Sequence, residues 1–253
     1  MAKWVASLCW TDAPHLSEED IAELLASCSP HERDARSKGI PQLGSGAIYP
    51  VVEDDVIIEP FSLPDKWPRA CGMDVGWKKT AAIWGAYDQK SDTWYLYSEY
   101  YRGYAEPSIH ADAIVARGRW LPVVVDCHSD RHSEAGGNAL LTTYERLGLN
   151  ISKANNGPGT VDPSILDVFQ RLSSGRLKVF AHLANWLGEF RTYRRDMNGK
   201  IVKENDHLMD ATRYLIMSGL QVMETPPPED WEDDPDRPRG SGPKTGSSNI
   251  TGY

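Results

Sequence analysis

Between residues 62 and 223 the apolar positions fall into short runs whose period changes along the chain. RACGMDVGW (69–77) is an apolar run ending in an acid and a glycine. TAAIWGAYD (80–88) and TWYLYSEYYR (93–102) follow it, rich in aromatics and parted by the polar stretch 89–92. That content and spacing predict three consecutive strands. Pro107 opens a helix predicted to run to about 117, because proline is tolerated in a first helical turn. LPVVVDC (121–127) is a short, continuous apolar run, which predicts a strand buried on both faces. Helical stretches are expected near 136–147 and 162–174. In TYRRDMNGKIVKE the pair Asn198-Gly199 predicts a hairpin turn. NDHLMDATRYLIMSGL closes the pattern as a helix with Leu208, Ala211 and Leu215 on its apolar side, joined by Met209 and Ile216.

Three leading strands in a meander, then alternating helices and short strands, predict an α/β fold: a mixed β-sheet with helices on both faces. The flanks differ in character. Residues 1–61 hold a short apolar run, then Ser17 followed by Glu18, Glu19 and Asp20, which reads as a capped helix start. GIPQLGSGAIYP after it reads as an extended connector, since glycine and proline break the helical period. Residues 224–253 are rich in proline, glycine and acids and are expected to form a disordered tail. The chain thus divides into a leading helix and linker (1–61), a folded domain (62–223) and a tail (224–253).

Composition narrows the class. Hydrophobic residues make up 40% of the 253, enough for a real core. No run approaches the ~18 apolar residues of a membrane span, so no membrane association is expected. MAKWVASLCW lacks the features of a secretory signal, and Cys9, Cys28, Cys71 and Cys127 form no CxxC pair, so a reducing cytoplasmic setting is expected. The net charge of −9 is uneven. Residues 171–203 carry eight bases against two acids, a local +6. Within that stripe Arg191, Arg194, Arg195, Lys200 and Lys203 are candidate phosphate contacts, with Lys78 and Lys79 near the first acid; a solvated charged face is the plain alternative.

Three acids carry the candidate chemistry. Asp74 closes an apolar strand, where a carboxylate is costly unless it caps, pairs or binds a cation. Asp126 repeats this after PVVV, and neighbouring strands would set both carboxylates at one edge. Two such groups a few ångströms apart repel unless a divalent cation lies between them. Asp210 sits among Leu208, Met209, Ala211 and Leu215, so it also needs a partner. Asp206 and His207 share its helix face at i−4 and i−3. Asp206 suits a helix N-terminus, and His207 is placed to coordinate the same metal, to orient a water, or simply to face solvent. CHSDRH after Asp126 matches no common structural zinc spacing. The three acids supply oxygen ligands for two Mg²⁺ or Mn²⁺ ions bridging a phosphate, one activating water and one stabilising the leaving 3′ oxygen.

Together GMDVGWKKTAAIWG, VVVDCHSD and NDHLMDATRYLIMSG resemble the C-terminal nuclease domain of the large terminase subunit of tailed bacteriophages. DAPHLSEED and KGIPQLGSGAIYP resemble the segment joining a terminase ATPase to its nuclease. The resemblance covers roughly residues 10–220 and implies an RNase H-like fold. It implies Asp74, Asp126 and Asp210 as metal ligands with His207 as a fourth catalytic member; some relatives place the acid where His207 stands, leaving Asp206 as an additional candidate. It further implies an endonuclease that cuts double-stranded DNA with little sequence preference during viral genome packaging. The implied partners are the terminase ATPase domain, the small terminase subunit and the portal protein, and the implied setting is the cytoplasm of an infected bacterial host. No GxxxxGK[ST] phosphate loop is present, so the chain is expected to be a nuclease portion rather than the packaging ATPase. A resolvase- or transposase-type RNase H-like nuclease and a non-catalytic DNA- or portal-docking module are the alternatives.

Overall fold

A computed structural model describes residues 9–28, 33, 37, 46–126 and 137–227. The CHSDRH segment, the larger part of the expected connector and the tail beyond 227 lie outside the described residues. Helix α1 (Glu18–Ser27) begins where the sequence placed it, with Ser17 as its cap. The Ser17 hydroxyl accepts from the Asp20 backbone N–H at 3.1 Å, and the Asp20 carboxylate accepts from the Ser17 N–H at 2.9 Å.

Seven strands form one mixed sheet. In chain order they are β1 (Ile57–Ile58), β2 (Arg69–Asp74), β3 (Thr80–Asp88), β4 (Thr93–Arg102), β5 (Pro122–Val125), β6 (Asn150–Lys153) and β7 (Leu177–Phe180). Their order across the sheet is β1-β7-β4-β3-β2-β5-β6. The predicted meander is present, because β2–β3 and β3–β4 pair antiparallel, whereas β5 joins β2 in parallel. Helices α2 (Glu53–Val56), α3 (Pro107–Val115), α4 (Gly137–Arg146), α5 (Val161–Ser173), α6 (Ala184–Thr192) and α7 (His207–Val222) complete the fold.

Strand periodicity divides the core. Ala81 and Ile83 of β3 belong to one apolar cluster, shared with α5, α6 and α7, while Ala82 and Trp84 belong to a second, shared with α3 and α4. Central strands are therefore buried on both sides, which is why their sequences read as unbroken apolar runs. Helices lie on both faces of the mixed sheet, as expected of an RNase H-like fold. Helix α7 presses closest to the sheet. A Cβ on Gly72 of β2 would stand 2.1 Å from the Ala211 carbonyl oxygen, so only glycine lets strand and helix approach this far.

Several boundaries differ from expectation for physical reasons. The strand expected over 69–77, β2, stops at Asp74, and beyond it the Thr80 hydroxyl donates to the Gly76 carbonyl at 3.1 Å where the chain folds back into β3. Helix α6 was not predicted, although Trp186, Leu187 and Phe190 recur at helical spacing and are buried. The turn at Asn198-Gly199 is present, with Gly199 at φ +76° and the Asp196 N–H donating to the Lys200 carbonyl at 2.7 Å. Its arms carry a single bridge, Arg195↔Ile201, and the outer arm pairs with the linker through Ala47↔Arg194. The linker itself enters the core: Ile48, Tyr49 and Val56 are buried in the α7-side cluster, and β1 pairs parallel with β7. At the other end Glu224, assigned to the tail, exchanges backbone bonds with Arg69 at 2.7 and 3.1 Å.

Candidate active site

Alternation along two neighbouring strands aims both strand-end acids at α7. In β2 Cys71 and Met73 face the α3–α4 side, so Gly72 and Asp74 face α7. In β5 Val123 and Val125 face the α3–α4 side, so Val124, packed against Tyr214 of α7, and Asp126 beyond it face α7. The parallel register Met73↔Val125 then brings Asp74 and Asp126 to the same end of adjacent strands. Helix α7 supplies the third acid, Asp210, from its first turn.

Each acid meets this helix. Oδ2 of Asp74 lies 2.8 Å from Nδ1 of His207, the first residue of α7. Burial raises the Asp74 carboxyl above its ordinary range; the His207 bond pulls it back, and the charges of Asp210 and Asp206 push it up again. The bond to Asp74 in turn raises the His207 imidazole, against the effect of burial. The Tyr214 hydroxyl lies 3.4 Å from Oδ2 of Asp126. Burial raises this phenol well above its ordinary value, and Asp210, Asp74 and Asp126 all add to the rise. Tyr214 therefore stands within the field of all three acids. Asp210 is clamped by two cations. Nη2 and Nε of Arg213 donate to its Oδ1 at 2.7 and 3.1 Å, and Nζ of Lys203 donates to its Oδ2 at 3.0 Å.

Asp206 precedes α7 but makes no side-chain capping bond. It is 5% exposed, and its Oδ2 lies 2.8 Å from Nζ of Lys203. Glu189 of α6 does the capping instead, a role absent from the sequence-based expectations. Its Oε2 accepts from the backbone N–H of Leu208 at 2.6 Å and of Met209 at 3.3 Å, and its Oε1 accepts from the Tyr101 hydroxyl at 2.7 Å. Only 3% of Glu189 is exposed, and burial raises its carboxyl. A detectable signal existed: Glu189 sits between Leu187 and Phe190, as conspicuous an acid among apolar residues as Asp210.

Asp126, Lys203, Asp210, Arg213 and Tyr214 line an open cleft of about 420 Å³, walled by residues 156–161. Among the described residues no group of three or more His, Cys, Asp or Glu side chains is close enough to hold a metal ion. The donor chemistry nonetheless fits a hard divalent cation, because three carboxylates and one carboxylate-bound imidazole are offered. The Lys203 ammonium, a positive group lodged between Asp206 and Asp210, marks where positive charge is held here. Asp74, Asp126 and Asp210 are the residues that would hold such an ion.

The expected basic stripe divides. Arg191 is tied to Glu53 of α2 through two bonds, one of them 2.7 Å, and Arg195 to Asp162 at 2.6 Å. Lys203 points into the acids, and Lys79 lies 4.1 Å over the Tyr101 ring. Lys78 and Lys200 are exposed and Arg194 is half-buried; none of the three has an ion pair among the described residues.

Comparison with known proteins fits this arrangement. Residues 71–218, more than half of the chain, match the terminase RNaseH-like domain family. The chain is 32% identical to the large terminase subunit of Enterobacteria phage LP7 over 225 residues, covering 86% of this chain and 47% of that protein. It is 33% identical to the large terminase subunit of Salmonella phage P22 over 221 residues, covering 84% and 44%. The chain thus spans about half the length of the curated relatives it matches. The P22 large terminase nuclease domain superposes with a TM-score of 0.67 at 30% identity, covering 72% of this chain and 96% of that one. A large terminase from a thermophilic bacteriophage, solved in complex with ADP, shares the fold with a TM-score of 0.58 at 18% identity, covering 83% and 54%. From the family match and these relatives, the chain belongs to the terminase RNaseH-like domain family.

Proposed function

We propose that this chain is a divalent-metal-dependent endonuclease that cuts double-stranded DNA, with little sequence preference, during viral genome packaging. One observation carries the reading. The Met73↔Val125 register sets Asp74 and Asp126 at one end of neighbouring strands, under the helix that bears Asp210. Carboxylates gathered in this way are expensive unless a cation joins them.

Two Mg²⁺ or Mn²⁺ ions held by these acids would activate the attacking water and stabilise the leaving 3′ oxygen. The chain's own residues prepare the place. His207 fixes the orientation of Asp74 through its Nδ1 and opposes the upward effect of burial on that carboxyl. Glu189 pins the first turn of α7 and so sets the height of Asp210 over the sheet. Arg213 orients Oδ1 of Asp210 and leaves Oδ2 toward Lys203 and the cleft. Lys78, Arg194 and Lys200, with Lys79 and Arg195 beside them, are the proposed phosphate contacts. An ATPase domain, a small terminase subunit and a portal are the proposed partners, and the cytoplasm of an infected bacterium the proposed setting.

Incubating the purified protein with supercoiled plasmid and Mn²⁺, with and without chelator, tests the reading. Nicked and linear products should form only with free metal and should disappear in Asp74→Ala. Cutting that persists in chelator, or in Asp74→Ala, would sink the assignment.

A further inference from the structure

Immediately beyond the acidic end of β2 the protein displays two large aromatic side chains that its core does not use. Trp77 is 64% exposed and Tyr104 is 71% exposed. Their rings meet edge to face, with centroids 6.4 Å apart and planes at 86°. They come from two different loops, one joining β2 to β3 and one leaving β4, so their meeting is a product of the fold.

The backbone is arranged to hold them there. The Tyr104 N–H donates to the Trp77 carbonyl at 2.9 Å. Tyr104 adopts φ +53°, a left-handed conformation unfavourable for a bulky residue. A Cβ on neighbouring Gly103 would stand 2.0 Å from the Lys78 carbonyl oxygen, so the two loops interlock only because this position is glycine. Backbone strain of this kind clusters at functional sites, where the surrounding structure holds it in place.

The surroundings favour a polyanion with flat rings. Lys78 and Arg102 adjoin the pair along the chain, with Glu106 as the acid of the same loops, while Lys79 lies over the Tyr101 ring. Lys78 directly follows Trp77, which itself lies three residues beyond Asp74. Under Trp77 is a hollow of about 210 Å³ with walls from Val75, Pro107, His110, Leu140 and Tyr144. Exposed aromatics between cations form the usual platform for single-stranded nucleic acid, because every base has a face to stack and every nucleotide a phosphate. An intact duplex offers no free base face except at its ends.

We propose that Trp77 and Tyr104 form a stacking platform for an unpaired DNA base at the end of β2 just beyond Asp74, on the rim of the sheet, binding a frayed end or a locally opened strand. This rests on the DNA-cutting reading above and adds a substrate feature to it: a preference for DNA with an accessible single strand beside the site of cutting.

The test uses the full chain in chelator, so that nothing is cut. Fluorescence anisotropy would compare a labelled single strand of about 12 nucleotides with a duplex closed at both ends by loops. Trp77→Ala, Tyr104→Ala and the double variant should each lose affinity for the single strand, by about tenfold per ring removed, while closed-duplex affinity changes less than about twofold. Trp77→Phe and Tyr104→Phe should retain most of the binding, which separates stacking from loop collapse. Unchanged single-strand affinity in the double variant overturns the platform and leaves an apolar protein segment as the occupant of this surface. Equal losses on both DNAs overturn it too, in favour of a general electrostatic effect. A wild-type protein that binds the closed duplex but no single strand overturns the platform alone; one that binds no DNA overturns the platform together with the DNA-cutting reading.

Discussion

Nζ of Lys203 lies 3.0 Å from Oδ2 of Asp210, the carboxylate proposed to hold a divalent ion, and 2.8 Å from Oδ2 of Asp206. Burial works against the lysine's charge, yet Asp210 and Asp206 outweigh it and hold the ammonium above its ordinary range. A metal held there would thus compete with the lysine for the same negative potential.

Replacing Lys203 by Met should therefore do two opposite things. Without metal, the acids lose their counter-charge and stability should fall by about 1–2 kcal/mol, discounted because the lysine side chain is 61% exposed. With Mn²⁺ the stabilisation should exceed that of the wild type, since nothing has to be displaced. Urea unfolding across a Mn²⁺ titration measures both; a smaller metal-induced gain in the variant counts against the competition.

The strand-end acids and the histidine should differ in severity. Asp74→Asn and Asp126→Asn each remove a proposed ligand and should abolish plasmid cutting while leaving the fold intact. His207 acts through Asp74, so His207→Ala should weaken Mn²⁺ binding by roughly 10–100-fold, the usual loss for a group that orients a ligand. Calorimetric titration of metal into the three variants ranks them. Activity lost in His207→Ala with unchanged metal affinity would instead give the imidazole a direct role in the reaction.

Glu189 holds the start of α7 by accepting two backbone bonds and a tyrosine hydroxyl inside the core. Glu189→Ala should cost about 2–4 kcal/mol, because it deletes charge-assisted bonds and leaves buried N–H groups unpaired. Glu189→Gln keeps an acceptor and should cost less. Chemical denaturation orders them, and an Ala variant as stable as the Gln variant would mean that water replaces the carboxylate.

Acid sensitivity should trace in part to Asp92, in the turn between β3 and β4. It accepts from the Tyr87 hydroxyl at 2.7 Å and from Arg176 and Arg171 at 2.7 and 3.2 Å. The tyrosine bond first, then the arginines, lower its pKa from 3.8 to about 2. A carboxyl depressed on folding stabilises the native state above its unfolded pKa and loses that contribution as pH falls through the folded one. The window is therefore about pH 4 to 2. The Asp92 side chain is 43% exposed, so screening limits the contribution to about 1 kcal/mol. Asp92→Asn should be less stable than the wild type by that amount at neutral pH, with the gap closing as pH falls through this window. A gap that stays constant to the acid end of the window assigns the loss to hydrogen bonding rather than to charge.

These residues differ in how openly the sequence announced them. Asp74 and Asp126 were legible because each ends an apolar run, and strand alternation does the rest. Asp210 was legible because an acid among Leu208, Met209 and Ala211 must have a partner. One partner, Arg213 at i+3, lay on the same helix; the other, Lys203, stands seven residues earlier and outside the helix, where helical spacing does not reveal it. Arg191 shows the limit most clearly. It counted toward a basic stripe, but its carboxylate partner, Glu53, lies 138 residues away within the expected linker. A local charge sum cannot see pairs that only the tertiary fold creates. For the same reason the linker read as detached: its few apolar residues are buried by α6 and β7, elements far along the chain.

That pairing makes the stripe testable residue by residue. A cation already bonded within the protein has less to give to a phosphate, because binding DNA would first break the internal bond. Arg191 is held by Glu53 and Arg195 by Asp162, whereas Arg194 and Lys200 have no ion pair among the described residues. Each phosphate neutralised on a duplex should contribute roughly 0.9 to the fall of log affinity with log salt. Arg194→Gln combined with Lys200→Gln should therefore flatten the salt slope by about 1–2. Arg191→Gln should leave the slope unchanged and instead lower stability, because Glu53 loses its counter-ion. Anisotropy of a labelled duplex across a salt series, in chelator, separates the two kinds of arginine. If Arg191→Gln flattens the slope and the Arg194/Lys200 pair does not, the internal ion pairs do not govern which cations meet DNA, and the proposed contact surface must be redrawn around α6.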